Sequence, residues 1–311
     1  MNCIISRPPL SLSRVIFDWY YKGKALSYTV RNGENTIVFH GREQNDARTF
    51  CLGLGGTEND ACYSKELERP LLKVAFQFFL EELKRRSCKE LRWECLKYDS
   101  RFHELLMEAG ADITGSRPIT RIRFDEDNYN RWFQTLSKHV RQNVRTAYNR
   151  LLREGHTMDY TFFSDEFGEH MPHICSPRRG GRIMRQCFSI FMKRHAERYN
   201  IFGVRHKLAQ FVKWATYPQG NAFLAVIHVD RRPVAFMAGH KSHVSEVWAT
   251  RLAIDSTFSF YSPGMILVNE TIKWLLEKTP ICSLNLGRGT EKYKKDMGGV
   301  ECIATDYLLR L

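Results

Sequence analysis

What this chain lacks narrows its class before any motif is read. No stretch approaches the roughly 20 uninterrupted apolar residues of a membrane span, and the opening MNCIISRPPLSLSRVIF is broken by Pro8, Pro9 and Arg14 before a signal-type apolar core develops. A cytoplasmic location is therefore expected. The nine cysteines are an odd number with no CxxC pair, which fits reduced thiols better than a disulfide framework. No metal centre is expected: His170, His173 and Cys175 in HMPHIC come nearest, but in a Pro-containing segment without a fourth ligand or helical spacing, and His240 and His243 only flank a strand end. Zinc-finger spacings and the aromatic signatures of RNA binding are missing as well.

What is present suffices for two ordinary domains: 311 residues, 43% hydrophobic and 13% aromatic. The net charge of +13 and a pI near 9.4 favour anionic partners, whether nucleotide cofactors, nucleic acid or a membrane surface.

The carboxyl-terminal part reads as a hairpin, NAFLAVIHV and VAFMAGH around a turn at Asp230 to Pro233, then a strand, EVWATRLAI. A helix follows from Pro263, with Ser262 as its side-chain cap and Met265, Val268, Ile272, Leu275 and Leu276 on one buried face. CSLNLG is then a last central strand. The amino-terminal part repeats this order: ALSYTV and TIVFHG around Arg31 to Asn35, a polar loop, a helix from Pro70 with Leu71, Val74, Ala75, Phe78 and Leu83 inward, and the strand ELRWECL. Hairpin, loop, Pro-started helix and strand occur twice, which reads as an internal duplication.

Two basic segments lie between. In SKHVRQNVRTAYNRLLREG, Val140, Val144, Ala147, Tyr148 and Leu151 form an apolar stripe opposite Lys138, Arg141, Arg145 and Arg153; the charged side is either a solvated face or a site for a ligand anion. SPRRGGRIMRQ places Arg178, Arg179, Arg182 and Arg185 around paired glycines, as a loop closing over an anion or a plain connection.

Gly264 marks the second Pro-started helix, because a residue without Cβ lets a group approach the first-turn amides, where free N–H groups and the helix dipole favour an anion. YSPGMIL, LNLGRGTEKYKKDMGG and LSKHVRQNVRTAYNRLLREG together resemble the acetyltransferase-like family of the CelD and BcsL names, in the GCN5-related N-acetyltransferase superfamily and similar to the FemAB aminoacyltransferases. The resemblance spans residues 20 to 311. It implies an α/β fold with a mixed sheet, helices on both sides, and two tandem acetyltransferase-like domains, here 1–135 and 136–311. It also implies that Tyr261, Ser262, Pro263, Gly264 and Met265 hold the pyrophosphate of acetyl-coenzyme A or another acyl-coenzyme A. The chain departs from its relatives in lacking the Arg/Gln-x-x-Gly-x-Gly/Ala phosphate loop and in having Asn285 where members often have Asp. If that Asp is catalytic, activity is impaired; if it braces the strand end, Asn285 does so through hydrogen bonds.

Acyl transfer to an amine needs a deprotonated nucleophile, positioning over the thioester and stabilisation of the oxyanion. Glu291 is the first candidate for deprotonating or orienting the amine, Tyr293 for protonating the leaving thiolate or holding the acceptor, and Lys294 for binding an acceptor phosphate or carboxylate. The plain alternatives are a surface ion pair and a packing ring. Glu246 and Asp255 are the other carboxylates near the cleft; strand alternation puts Glu246, Trp248, Thr250 and Leu252 on one face. Arg141, Arg145, Lys138 and Asn285 complete the candidate substrate contacts. The leading expectation is an N-acyltransferase for an amino sugar or another small amine of envelope or polysaccharide metabolism. An aminoacyl-tRNA-dependent transferase ranks below it, since no long helical arm is evident, and a catalytically silent ligand-binding relative is the third reading.

Overall fold

The computed structural model describes residues 2–6, 23–44, 48–52, 60–63, 67–126, 128–171, 179–196, 203–204, 207–208, 211, 222–243 and 245–311. The first part of the chain forms strands β1 (Asn2–Ser6), β2 (Gly23–Asn32), β3 (Asn35–Gln44) and β4 (Thr49–Leu52), helix α1 (Arg69–Arg85), β5 (Glu90–Leu96), α2 (Phe102–Glu108) and β6 (Asp112–Arg123). Helices α3 (Tyr129–Thr135) and α4 (Lys138–Arg153) lead to β7 (Met158–Phe163), α5 (Arg179–Ala196), β8 (Ala222–Val229), β9 (Arg232–His243) and β10 (Glu246–Ile254). A 3₁₀ turn over Ser256–Tyr261, α6 (Pro263–Lys278), β11 (Ser283–Arg288), α7 (Lys292–Asp296) and β12 (Gly299–Arg310) complete the described elements.

Packing separates two compact units, Met1–Pro118 with Cys302–Leu311, and Ile119–Glu301. The first orders its strands β1-β2-β3-β4-β5-β12, the second β7-β8-β9-β10-β11-β6. Each unit has one parallel neighbour pair, β4 with β5 and β10 with β11, and the other recorded pairs are antiparallel. A parallel pair requires a crossover, and in both units that crossover is a helix with proline in its first turn. The duplication expected from the sequence is thus a repeated topology. Packing does not follow the expected 1–135 and 136–311 cut, because each unit takes its last strand from the other half of the chain. Residues 119 to 123 of β6 pair with β11, and residues 305 to 310 of β12 pair with β5.

Local chemistry sets both hairpins. Gly33, with φ 60°, supplies the first central position of the β2–β3 turn, and Asp230 and Arg231, with φ 50° and 64°, form the two-residue turn of β8–β9. In the first unit Phe39 stacks on Phe79 with ring centroids 4.2 Å apart, and Tyr28, Phe50, Phe76, Trp93 and Phe102 surround them. These aromatics turn α1 by one residue from its expected face: Leu72, Ala75, Phe76, Phe79 and Leu83 are buried, whereas Val74 is exposed.

In the second unit, Val140, Val144, Ala147 and Leu151 of α4 join α6 in one core, with Trp274 stacked on Phe162 at 3.9 Å. Helix α6 is buried more widely than a single stripe, at Ile266, Leu267, Val268, Asn269, Thr271, Ile272 and Leu275. Asn269 locks it in place, accepting from Tyr129 Oη at 3.0 Å and donating to Tyr148 Oη at 3.1 Å. Helix α5 packs with Phe211, Phe236 and Ala253 in a separate cluster. Arg182 and Arg185 are therefore exposed positions on a helix, because Ile183, Met184 and Cys187 bury its inner face and leave no loop there; Arg178, His173 and Cys175 lie outside the described residues. No helix among the described residues is long and apolar enough to cross a membrane.

Strand exchange makes a local prediction. Leu309 is 4% exposed within the first unit's core, so Leu309→Ala is expected to cost about 2–5 kcal/mol. Amide exchange should accelerate in β2 and β5 and stay unchanged in β8 and β9.

Candidate active site

Strands β10 and β11 pair only at Glu246↔Ser283, Val247↔Leu284 and Trp248↔Asn285. Beyond these residues each strand bends away for its own reason. On β10 a register shift falls between Ala249 and Arg251, which inserts a residue and reverses the alternation. Val247 and Ala249 lie in the core under α6, and Leu252 and Ile254 pack against that same core, while Ala253 joins the α5 cluster. Leu252 therefore does not share the face of Glu246 as strict alternation predicts. On β11, Asn285 Oδ1 accepts the Gly287 N–H at 2.8 Å, and Gly287 and Gly289 take φ of 69° and 95°, where a side chain would be strained. The strands part into a fork.

Helix α6 starts beyond the end of β10. Ser262 adopts the left-handed conformation (φ 51°, ψ 48°) and makes no side-chain cap, contrary to expectation; its carbonyl instead accepts from Met265 N at 3.0 Å and Ile266 N at 3.3 Å. Pro263 has no N–H, so Gly264 offers the first-turn amide without an acceptor among the described residues. A Cβ on Gly264 would meet Ile254 Cγ2 at 3.4 Å, an ordinary contact. Tyr261 turns away: its hydroxyl bonds Glu154 and lies 3.3 Å from His156 Nε2, and His156 Nδ1 pairs with Asp230 at 2.7 Å. The Glu154 hydrogen bond raises the Tyr261 pKa. Of Tyr261 to Met265, only the first-turn backbone at Gly264 keeps the open amide that the sequence reading assigned to this helix start.

Glu291 at the start of α7 and Tyr293 and Lys294 on it follow β11, but Lys294 is not free to meet a substrate. It is 3% exposed, and its ammonium pairs with Glu291 at 2.9 Å and donates to the carbonyls of Arg288 at 2.6 Å and Gly289 at 3.4 Å. Thr120 Oγ1 also donates to Gly289 O, at 2.8 Å. Lys294 is a clasp for the turn after β11. Glu291 remains largely exposed; burial raises its pKa, but the Lys294 hydrogen bond and the charges of Lys294 and Arg194 outweigh this and hold it below the usual carboxylate range. Tyr293 is half-buried, and burial, then Glu291, push its pKa up to about 12 against the lowering charge of Arg194. Arg194 itself donates to Leu252 O at 3.1 Å, so the guanidinium that bonds β10 also acts by its charge on Glu291 and Tyr293.

The other candidates have structural work. Glu246 is buried against Arg121, with Oε2 2.6 Å from Nε, and stands eight residues from Ile254, about 26 Å along β10; that removes it from the α6 entrance. Asp255 is 5% exposed, accepts from Thr257 N at 3.1 Å and Thr257 Oγ1 at 2.8 Å, and pairs with Arg232 at 2.7 Å. Burial raises its pKa, yet the Thr257 bonds and the Arg232 and Lys193 charges hold it below its ordinary value. It caps the 3₁₀ turn as a carboxylate rather than serving as a base. Asn285 is fully buried and braces β11 instead of meeting substrate. Arg141 donates to Gln134 O at 2.8 Å and Leu136 O at 2.6 Å, fastening the end of α3, and Arg145 lies over the Phe133 ring at 5.9 Å. Lys138 is solvent-exposed at the far end of α4.

A cavity of about 420 Å³ opens beside the end of β10. Helix α5 contributes Gln186, Ser189, Lys193 and Arg194, and Arg232, Asp255, Ser256 and Ser259 face them. These cations were not singled out in the sequence, although Gln186, Ser189 and Lys193, with Arg194 beside them, recur at helical spacing along one side of α5.

Replacing the clasp tests its role. Lys294→Met takes the ammonium from Arg288 O and Glu291, leaves Gly289 O with Thr120 Oγ1 alone, and is expected to cost about 1–3 kcal/mol, read by urea unfolding. An unchanged midpoint would mean that the turn does not depend on Lys294.

The chain matches the family described as acetyltransferase (GNAT) domain over residues 138–295. No curated protein matches it. Among solved structures it is similar to a conserved protein of unknown function from Bacteroides thetaiotaomicron, at 12% identity and TM-score 0.55, covering 97% of this chain and 90% of that one. It is also similar to the carboxyl-terminal domain of a protein described as a lysylphosphatidylglycerol synthetase from Agrobacterium fabrum, at 10% identity and TM-score 0.57, covering 97% and 88%. The first unit repeats the topology of the matched one, giving two GNAT-like units in a mixed α/β fold. With the family match extending over half its length, and the fork and helix entrance inside that match, the chain belongs to the GNAT acetyltransferase family.

Proposed function

We propose that the chain is an acyl-coenzyme A-dependent N-acyltransferase of the CelD/BcsL type, acting on a small amine that carries an anionic group, such as an amino sugar precursor. The observation that carries this reading is the end of β10–β11 pairing after Trp248 and Asn285, with α6 opening just past the same strand ends. A parted parallel pair offers unladdered backbone to an extended arm carrying amides, and a helix N-terminus favours its pyrophosphate. Gly264 fits that role because its amide is available and its Cα is bare.

The coenzyme supplies a thioester carbonyl as the electrophile. Tyr293, protonated throughout the neutral range, is suited to give its proton to the leaving thiolate. Glu291 stays ionised and is therefore a weak base near neutrality; its better role is to accept a hydrogen bond from the incoming amine and orient it. With Lys294 committed to the turn, Lys193, Arg194 and Arg232 in the α5 cavity take over the expected contact with an acceptor phosphate or carboxylate.

Calorimetry with acetyl-coenzyme A tests the cofactor site. Wild type is expected to bind at micromolar concentration, and Gly264→Glu to abolish binding while remaining folded, since a carboxylate at a helix N-terminus is stabilising. Absence of binding to folded wild type would overturn the reading. In a screen of amines with acetyl-coenzyme A, Tyr293→Phe should lower kcat by about 10²–10⁴-fold with little change in KM for the coenzyme; undiminished turnover would remove Tyr293 as the proton donor.

A further inference from the structure

We propose that the α5 cavity holds a phosphate monoester, which makes the acceptor an amine bearing a dianionic phosphate rather than a carboxylate or a phosphodiester. The proposal rests on the N-acyltransferase reading and names the acceptor class that the reading leaves open. Lys193, Arg194 and Arg232 line the cavity, and Asp255 is the one acid among its described lining residues. Three cations against one carboxylate leave two positive charges in excess. That carboxylate is already engaged, since Oδ1 accepts from Thr257 N and Oγ1 and Oδ2 pairs with the Arg232 guanidinium at 2.7 Å. What the cavity offers a ligand is therefore positive charge and N–H donors.

The cations come from separate elements and converge. Arg232 begins β9, and Lys193 on α5 is near enough for its charge to act on the same Asp255 carboxylate. Arg194 follows it on α5, lines the same cavity and acts by its charge on Glu291 and Tyr293, which ties the cavity to the acyl-transfer candidates. Ile190, Pro233 and Ile254 supply apolar wall, beside which charges are less screened than in open water. A phosphate monoester carries close to two negative charges at neutral pH and three strong acceptor oxygens. One such group neutralises the excess and gives each cation an oxygen, whereas a carboxylate or a phosphodiester brings a single charge and leaves like charges repelling one another. Ile254 also borders Gly264 at the α6 entrance, so the 3′-phosphate of the coenzyme is the competing source of the same chemistry.

The test uses calorimetry with amines that share one spacer and differ in the anion: phosphoethanolamine (monoester), glycerophosphoethanolamine (diester) and β-alanine (carboxylate). Wild type is expected to bind phosphoethanolamine about tenfold more tightly than either of the others, and Lys193→Gln and Arg232→Gln each to lose about tenfold for phosphoethanolamine alone. Both variants are expected to keep wild-type affinity for coenzyme A and for 3′-dephospho-coenzyme A. Equal affinity for the three amines, binding of none of them, or phosphoethanolamine affinity unchanged in the folded variants overturns the proposal and leaves the N-acyltransferase reading standing. Variants that bind coenzyme A more weakly and 3′-dephospho-coenzyme A as before put the coenzyme's own phosphate in the cavity, which overturns the proposal as well. Wild type that binds no acetyl-coenzyme A removes both readings together.

Discussion

A parallel strand pair that stops after three residues in register is the constraint on which the second unit turns. Backbone amides and carbonyls require partners, so a sheet that opens must have forces holding the strands apart. On β10 the force is an inserted residue between Ala249 and Arg251. On β11 it is Asn285, whose side chain accepts the Gly287 amide, and two glycines at positive φ. The gap is built by both strands, one by insertion and the other by turning.

Polar groups that resembled catalytic machinery mostly stabilise this opening. Lys294 gathers the carbonyls beyond β11, Asp255 caps the turn beyond β10, and Arg194 holds Leu252 O while its charge acts on Glu291 and Tyr293. Burial decides their roles more than residue type does. A lysine at 3% exposure with acceptors in place is a fastener, whereas a tyrosine nearby, half-buried with no bonded partner for its hydroxyl among the described residues, retains a proton to give.

Much of the fold was legible because period and punctuation are local. EVWATRLAI and ELRWECL are strands over their full expected lengths, and proline marks the start of both crossover helices. The last-strand exchange was not legible, since nothing in residues 119–123 or 305–310 says which half of the chain they will pair with. The inner face of α1 was displaced by one residue because Phe76 and Phe79 answer to aromatics on β2, β3 and β5. The candidate site was partly legible: YSPG and GTEKYKK fall at the entrance and the turn. Lys294, Asp255, Asn285 and Arg141 carry the right chemistry for a ligand, but their partners come from tertiary packing.

The central claim is that the parted strands and the α6 entrance form one ligand groove. Amide hydrogen exchange on the full chain with and without acetyl-coenzyme A tests it most directly. The account predicts new protection concentrated in residues 249–254, 263–266 and 286–289. Coenzyme binding that protects other segments and leaves these three unchanged would contradict it.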